Sequence, residues 1–369
     1  MSNLKSGTMT DVKSQISNLK SQMTDHPSSH TGASHSCYRG VRAVVLGAAG
    51  FIGRWVARSL SQQGASLFLV VRDSARAEQI FSGYGIQGEV IELDLNSPEA
   101  LRKLIGAVRP SITFNLAGYG VDRSERDETD AYRINADLAW RLCKDIAECR
   151  DQEWRGQDLI HTGSALEYGE IGGDLAEDSL PHPTTLYGKS KLVGTEALAR
   201  GCRAYQIKGV TARLFTVYGP GEHEGRLLPA LLEAAHTGQP LQLTDGRQQR
   251  DFTYVADVAE GLLRLGVGQA APGEIVNLAT GRLTTVRQFV ETAANILNIP
   301  DEMLLFGALL TRSEEMSHAP VAIDRLRRLI DWAPQTNIPD AIRYTWEFES
   351  QRDALFGPDC GNRDGIDLS

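Results

Sequence analysis

The stretch Val41–Asp73, with the sequence VRAVVLGAAGFIGRWVARSLSQQGASLFLVVRD, decides the fold. A largely apolar run, Val41–Leu46, precedes three glycines at every third position, and a one-sided helical pattern and a second apolar run, Leu67–Val71, follow them. The order strand, glycine-rich turn, helix, strand predicts the first unit of a Rossmann-type sheet. The glycines permit a tight turn, and the helix N-terminus offers amides and a positive dipole end to a pyrophosphate. The residues predicted to contact a dinucleotide here are Gly47, Gly50, Phe51, Ile52 and Gly53.

The end of the second strand bears on which dinucleotide is bound. NAD-binding sheets usually place an Asp or Glu there for the ribose hydroxyls, whereas a 2′-phosphate requires an arginine. In this chain the position of that acidic residue is occupied by Val71, and Arg72 comes next. Asp73 lies one or two positions beyond the place where the acidic residue is expected. We therefore predict NADP, with NAD as the alternative, and place Arg72 on the 2′-phosphate with help from Arg54. The competing interpretation of Arg72 is a solvated turn residue.

Two further strands are predicted to end near the same cofactor. The segment VIELDLNSPEAL contains a third strand that ends in Asp94–Leu95, and SITFNLAGYG contains a fourth that ends in residues 115–118. We expect Asp94, Leu95, Leu116 and Ala117 to contact the dinucleotide. Strands and helices that alternate on this spacing predict a parallel, doubly wound α/β sheet.

The composition narrows the class of protein. The chain has 369 residues, of which 41% are hydrophobic and 23% charged, which is ordinary for a globular protein with a sizeable core. Its net charge of −9 argues against nucleic acid as a partner, and no apolar run approaches the roughly 18 residues that a membrane span requires. The five scattered cysteines favour buried thiols in a reducing cytoplasm over disulfides, and no metal site is predicted.

The domain organisation follows from shifts in composition. The polar N-terminal segment repeats SNLKS and MTD, has no apolar core for a signal peptide, and is predicted to be disordered. Translation starting at an internal methionine is an alternative to the printed start. The predicted divisions are 1–40 for the disordered extension, 41–215 for the Rossmann domain with a return segment at about 251–282, 216–250 and 283–349 for a smaller substrate-binding lobe, and 350–369 for a flexible tail.

Seven segments follow one another in a characteristic order. They are GAAGFIG (47–53), DL (94–95), NLAG (115–118), TGSALEYG (162–169), YGKSK (187–191), RLFTVYGPG (213–221) and RDFTYVADV (250–258). Together they resemble the extended short-chain dehydrogenase/reductases, the NAD(P)-dependent epimerase/dehydratase type that acts on nucleotide sugars. The resemblance covers roughly residues 41–347 and implies a nucleotide-linked sugar as substrate and a homodimer.

Tyr187 and Lys191 are the predicted catalytic pair. They are four residues apart and share one face of a helix. An ammonium nearby favours the phenolate, so we expect Lys191 to lower the tyrosine pKa. The resemblance implies that Lys191 also binds the nicotinamide ribose, that Ser164 hydrogen-bonds the reacting oxygen, and that Tyr187 exchanges a proton with it. Asn135 is predicted to be structural, and His161 is given no role.

The residues after Ser164 bear on the reaction. The 4,6-dehydratases of this family have adjacent Asp and Glu there, whereas this chain has Ala165 and Leu166, which cannot move a proton. Glu167 is one position late and is expected to point elsewhere. We therefore predict reduction of a 4-keto-6-deoxy sugar nucleotide, with 4-epimerisation on retained NAD as the alternative. A non-catalytic dinucleotide-binding regulator and a reductase of small aromatic ketones are further alternatives.

Arginines are the expected ligands of the substrate diphosphate, because their planar forks suit phosphate oxygens. Arg250 is the first candidate and Arg226 and Arg312 are the weaker ones. The competing interpretation of Arg250 is an ion pair with Asp251 or Asp257.

Two residues after the sixth strand and two helix starts complete the predictions. The resemblance implies that Phe215 packs beside the nicotinamide, and Thr216 stands where the family often has an asparagine that contacts substrate. Asp257 is interpreted as a helix N-cap, and Thr285 with Gln288 as a capping box.

Overall fold

The computed structural model describes residues 37–120, 125–169, 175–310 and 319–356. Its helices and strands are β1 (Arg42–Leu46), α1 (Phe51–Gln62), β2 (Ser66–Val71), α2 (Ser74–Tyr84), β3 (Glu89–Glu92), α3 (Pro98–Val108), β4 (Ile112–Asn115), α4 (Glu128–Tyr132), a π-helical turn (Arg133–Asp137), α5 (Leu138–Cys149), β5 (Leu159–Ser164), a 3-10 turn (Ala165–Glu167), α6 (Leu186–Tyr205), β6 (Gly209–Leu214), β7 (Thr216–Tyr218), α7 (Leu227–Thr237), β8 (Leu241–Leu243), β9 (Gln249–Arg250), β10 (Phe252–Tyr254), α8 (Val255–Val267), β11 (Glu274–Leu278), β12 (Thr284–Thr285), α9 (Val286–Leu297), a 3-10 turn (Asp301–Met303), β13 (Leu304–Phe306), α10 (Asp324–Ile330) and α11 (Ile338–Phe356).

The main sheet has seven parallel strands in the order β11-β6-β5-β4-β1-β2-β3. The chain runs from β1 outward to β3 and then returns to the other side of β1 with β4. Parallel doubly wound sheets bind ligands at the carboxyl ends of the strands where this reversal occurs. The predicted Rossmann-type sheet is confirmed, and its reversal point lies between β1 and β4.

Apolar side chains cover both faces of the sheet. On one face, Val45 packs in a cluster with Leu60 of α1 and Leu262 of α8. On the opposite face, Val44 packs with Leu101 of α3 and with residues of α5 and α6. Successive strand residues point to opposite faces, so a strand covered by helices on both sides is apolar throughout. This explains the unbroken apolar runs in the sequence.

The smaller strands lie outside the main sheet. β7 pairs with β10, β8 with β13 and β9 with β12, and each pair is a separate two-stranded sheet. β11, from the predicted return segment, extends the main sheet beside β6. Within the described residues, no helix is long and apolar enough to cross a membrane.

Two predicted boundaries need correction. Tyr38 is 2% exposed, and its hydroxyl donates a hydrogen bond to the Leu263 carbonyl at 2.7 Å, so the packed chain begins before residue 41. The predicted tail at 350–369 is wrong at its start, because α11 continues to Phe356. Arg352 in that last part of the helix forms an ion pair with Glu349 at 2.8 Å.

Candidate active site

The glycine-rich turn lies where β1 and β4 end side by side. Gly47 has φ +71°, and a Cβ there would lie 3.0 Å from the amide nitrogen of Ala117. A Cβ on Gly53 would lie 2.0 Å from the Gly47 carbonyl oxygen, well inside van der Waals contact. The first turn of α1 therefore packs directly on the end of β1. Any side chain at either position forces the backbone apart.

The start of α1 is built to receive an anion. Gly50 is the N-cap and provides no side-chain oxygen to the helix amides, while its own amide donates to the Gly47 carbonyl at 3.0 Å. The following amides, including those of Phe51 and Ile52, belong to the first helical turn, which has no intrahelical acceptors. Open amides at a helix N-terminus beside a glycine cradle fit the pyrophosphate of a dinucleotide.

Arg54 supports the turn from behind. Its guanidinium donates to the carbonyls of Ala49 at 3.0 Å and Gly50 at 3.3 Å, and it lies over the Tyr84 ring. This side chain is nearly buried and two of its nitrogens donate to loop carbonyls, so its predicted help to Arg72 at a 2′-phosphate would depend on its remaining donors.

The other predicted cofactor residues lie along the same edge of the sheet. Arg72 directly follows β2 and is exposed, while Asp73 accepts the Arg76 amide at 2.9 Å and caps α2. Asp94 accepts the Asn96 amide after β3. Leu95 is buried. Leu116 and Ala117 follow β4, and Ala117 is also buried. Phe215 follows β6 and packs against Ala279, Val321 and Ile323.

Three elements bring the predicted catalytic residues together. Ser164 is the last residue of β5, and Tyr187 and Lys191 lie in the first turns of α6, whose N-cap Thr185 accepts the Gly188 amide at 3.0 Å. Ser164 lies close enough to Tyr187 that, against the larger effect of burial, its hydroxyl lowers the tyrosine pKa. The three side chains thus converge at the carboxyl end of β5, two strands from the glycine turn.

Burial dominates the acid–base properties of this pair. It raises the pKa of Tyr187 to about 12, with Glu167 and Glu125 acting in the same direction and Ser164 and Arg226 opposing. Although Tyr187 as a whole is only partly covered, its hydroxyl lies deep enough for desolvation to prevail. Burial likewise lowers the pKa of Lys191 to about 8. The expected lowering of the phenol pKa is therefore wrong, since loss of solvation raises it.

Lys191 is a buried cation with spare donors. It is 2% exposed, and within the part of the chain that the structure describes no carboxylate lies within ion-pairing distance of its ammonium. Lysine carries three N–H donors. A pair of ribose hydroxyls at this position would satisfy them, so the residues present fit a nicotinamide dinucleotide.

Two buried polar residues flank the pair. The Nδ1 atom of His161 is 3.0 Å from the Asn115 amide nitrogen, and burial, with Lys191 nearby, lowers the histidine pKa well below its usual range. Asn135 lies in the π-helical turn, and its amide group donates to the Tyr119 carbonyl at 2.8 Å and to the Ser190 hydroxyl at 2.9 Å. Its predicted structural role is confirmed, because it ties the segment after β4 to α6.

Glu167 is the residue that sequence reasoning missed. It is fully buried, and one of its carboxylate oxygens accepts the Ser164 amide at 2.7 Å. It was expected to point elsewhere, but its carboxylate contacts the backbone of Ser164, and its charge raises the pKa of Tyr187 in addition to the larger effect of burial. Serine followed three positions later by glutamate is the capping-box pattern, and that signal would have found this contact.

Two of the predicted phosphate ligands lie near each other. Burial, together with the nearby Arg226 cation, lowers the pKa of Arg250, which ends β9. Arg226 is the N-cap of α7 and forms an ion pair at 3.4 Å with Glu222, whose pKa burial raises to about 7. Thr216 begins β7, and its amide donates to the Asp251 carbonyl. Arg312 lies outside the described residues.

Both acidic residues considered as partners of Arg250 serve other loops. Asp251 accepts backbone amides of residues 280–282, and Asp257 accepts the amides of Gln335 and Thr336 at 2.9 and 2.8 Å. The predicted N-cap role of Asp257 is wrong, because α8 begins two residues earlier at Val255.

The capping box predicted at the start of α9 is confirmed. The hydroxyl of Thr285 accepts the Gln288 amide at 3.1 Å, and the Gln288 side chain accepts the Thr285 amide at 3.0 Å.

Known proteins resemble this chain over most of its length. Residues 43–279 match the model of the NAD dependent epimerase/dehydratase family. A dTDP-6-deoxy-L-talose 4-dehydrogenase (NAD(P)(+)) from Kitasatospora kifunensis is 30% identical over 321 residues, which are 84% of this chain and 96% of that protein. A UDP-glucose 4-epimerase from Mycolicibacterium smegmatis is 26% identical over 325 residues, 84% of this chain and 98% of that protein.

Solved structures share the fold. The epimerase Mth375 from Methanothermobacter thermautotrophicus superposes with a TM-score of 0.74 at 23% identity, covering 87% of this chain and 96% of that one. A UDP-glucuronic acid 4-epimerase from Bacillus cereus, in complex with UDP-glucuronic acid and NAD, gives 0.73 at 23% identity, covering 84% and 99%. The chain belongs to the NAD-dependent epimerase/dehydratase family, the extended short-chain dehydrogenase/reductases.

Proposed function

We propose that the protein is an NAD(P)-dependent oxidoreductase of nucleotide sugars that reduces a 4-keto-6-deoxy sugar nucleotide, with NADPH preferred. The observation that carries the proposal is the convergence of Ser164, Tyr187 and Lys191 on the sheet edge that also holds the glycine turn. The relative at 30% identity is named as a 4-dehydrogenase of a 6-deoxy sugar, which supports chemistry at C4.

The residues divide the work of reduction. A reduced nicotinamide supplies the hydride when bound. The hydroxyls of Ser164 and Tyr187 hydrogen-bond the substrate carbonyl oxygen, and Tyr187 hands its proton to that oxygen. Because the Tyr187 pKa is raised to about 12, the phenol carries its proton throughout the neutral range and is ready to donate. Lys191 holds the ribose.

The chain lacks the groups for dehydration at the expected place. Ala165 and Leu166 carry no proton-transferring group, and the Glu167 carboxylate is buried among its own hydrogen-bond donors. Epimerisation uses the same Ser164 and Tyr187, and the relative named as a UDP-glucose 4-epimerase favours it as the second candidate.

The partly buried Arg250 and the half-exposed Arg226 are proposed to bind the substrate diphosphate. Two cations placed close together repel each other, and a dianionic group between them relieves the repulsion. On the cofactor side, the exposed Arg72 at the end of β2 is proposed to bind the 2′-phosphate of NADP.

A homodimer is proposed through the α5 and α6 helices. Trp140 of α5 is 37% exposed, and its ring lies 5.3 Å from that of Tyr205 at the end of α6. An aromatic pair on two adjacent helices, with Trp140 exposed and Tyr205 partly buried, suits a second copy of the same surface. Light scattering after gel filtration should give twice the chain mass, and Trp140→Glu should reduce it.

The test of function is incubation with dTDP-, GDP-, CDP- and UDP-linked sugars and their 4-keto forms, with cofactor absorbance followed. Net oxidation of NADPH supports the reductase, and isomerisation without net change supports the epimerase. Tyr187→Phe should abolish turnover while cofactor affinity stays within a few-fold. Turnover that survives this substitution contradicts the role of Tyr187.

A further inference from the structure

Glu167 is held by donors from three elements behind the catalytic residues. One carboxylate oxygen accepts the Ser164 amide at 2.7 Å, and the other accepts the Arg213 Nε of β6 at 2.9 Å and the Thr195 hydroxyl of α6 at 3.0 Å. Gly163 makes room for it, since a Cβ there would lie 2.5 Å from the first oxygen. The carboxylate is therefore fixed in one place.

The partner of Glu167 is buried as deeply. Arg213 is 1% exposed, and its guanidinium lies 4.4 Å above the Tyr168 ring. Removing charges from water is costly, and apolar pairs of similar volume often give equal or greater stability. Folding therefore gives little reason for a charged pair at this position.

The charge of Glu167 acts on both members of the catalytic pair. It raises the pKa of Tyr187 and, against the effect of burial, that of Lys191. Of the other groups that face Tyr187, Arg226 opposes this effect and Glu125 adds to it.

The remaining group near the pair does not offset this field. His161 faces Lys191, and burial keeps the histidine neutral. Arg213, which donates its Nε to the same carboxylate at 2.9 Å, reduces the field of Glu167 by its own positive charge.

We propose that Glu167 is a positioning residue that fixes Ser164 for the substrate oxygen and keeps both Tyr187 and Lys191 protonated. This inference rests on the proposed reduction. There, the carbonyl carbon gains a hydride from the reduced nicotinamide, its oxygen gains the Tyr187 proton, and solvent returns a proton to the tyrosine. A site biased toward protonated groups stays competent for reduction to higher pH.

The first measurement needs no turnover. Lysine labelled with carbon-13 at Cε is titrated by NMR, with Lys191 assigned by its loss in Lys191→Met. The midpoint of Lys191 should lie near pH 8 in the wild-type protein and about one pH unit lower in Glu167→Gln. An unchanged midpoint in a folded variant overturns the inference, whatever the protein does with sugars.

The second measurement is the pH profile of NADPH oxidation with the best 4-keto substrate. A substitution cannot change the ratio of the forward to the reverse kcat/KM, because the equilibrium constant of the reaction fixes that ratio. The dependence of the rate on pH is therefore the quantity that is compared between variants. In Glu167→Gln the basic limb should move down by about one pH unit, because Tyr187 and Lys191 both lose protons more easily. Thr195→Val, which removes one hydrogen bond but keeps the charge, should leave the limb in place.

Glu167→Asp should keep the limb near the wild-type position with a lower kcat, because the charge remains while the contact with Ser164 lengthens. If Glu167→Gln fails to fold with Arg213 unpaired, the double variant with Arg213→Gln removes both charges and should show a smaller shift in the same direction, because the lost cation offsets part of the lost anion. A fall in kcat with an unmoved limb in either folded variant shows a purely structural role and overturns the inference. A lower Lys191 midpoint without reduction of any sugar supports the role of Glu167 and rejects the proposed reaction.

Discussion

Lys191→Met should make the protein more stable while removing its activity. Burial lowers the pKa of Lys191 from 10.5 to about 8, and this fall corresponds to about 3 kcal/mol at about 1.4 kcal/mol per pH unit. That free energy is the cost of keeping the ammonium charged inside the folded protein. Methionine has a similar length and no charge, so we expect a gain of about 1 to 3 kcal/mol in the free energy of unfolding at pH 7.

The lowered pKa of Lys191 determines whether the stability of the wild-type protein rises or falls with pH. Below pH 8 the lysine is charged in the folded protein, and the full cost of burying the charge is present. Between about pH 8 and 10.5 the lysine is protonated in the unfolded chain but not in the folded protein. The stability of the wild-type protein therefore rises with pH in this range. The advantage of Lys191→Met should therefore be largest at pH 7 and should shrink by pH 9.5. Urea unfolding at both pH values measures it.

A neighbouring lysine provides the control. Lys189 lies on the same helix and is exposed, so Lys189→Met should change stability by less than about 0.5 kcal/mol at either pH. If Lys191→Met and wild type show the same difference in stability at pH 7 and pH 9.5, Lys191 does not bear a buried charge, and the reasoning is refuted.

Three further substitutions test the cofactor and substrate sites. Gly53→Ala places a Cβ 2.0 Å from the Gly47 carbonyl oxygen and should destabilise the protein by more than about 2 kcal/mol and weaken dinucleotide binding, whereas Gly106→Ala, with open space around it, should be neutral or stabilising by calorimetry. Arg72→Ala should weaken NADPH far more than NADH in fluorescence titrations, and equal losses reject its assignment to the 2′-phosphate. Arg250→Ala should raise KM for the sugar nucleotide at least tenfold with cofactor affinity unchanged, and an unchanged KM removes it from the diphosphate site.

Local patterns predicted the parts of the site that depend on local structure. The glycine spacing is a requirement of backbone geometry, so Gly47 and Gly53 could be assigned from the sequence with the strand before them and the helix after them. The four-residue spacing of Tyr187 and Lys191 likewise fixes their common helical face. Neither inference needs to know what packs around the element.

Predictions that depended on tertiary surroundings failed for a common reason. Asp257 looks like an N-cap within its own segment, but its carboxylate accepts the amides of Gln335 and Thr336, far along the chain. The phenol of Tyr187 was expected to be acidic because of Lys191, but burial raises its pKa. Sequence spacing states which groups are neighbours on a helix; it does not state how much water the fold leaves around them.

The ionisable groups behind Tyr187 are best understood together. Lys191 keeps its charge at a cost of about 3 kcal/mol, and apolar pairs often match the stability of a buried ion pair such as Glu167–Arg213. A fold selected only for stability would lose these charges, and substitutions that remove them are within easy reach of mutation. We propose that their joint presence around one phenol serves the reduction, since a protonated tyrosine beside a charged lysine is the state from which a carbonyl oxygen receives its proton.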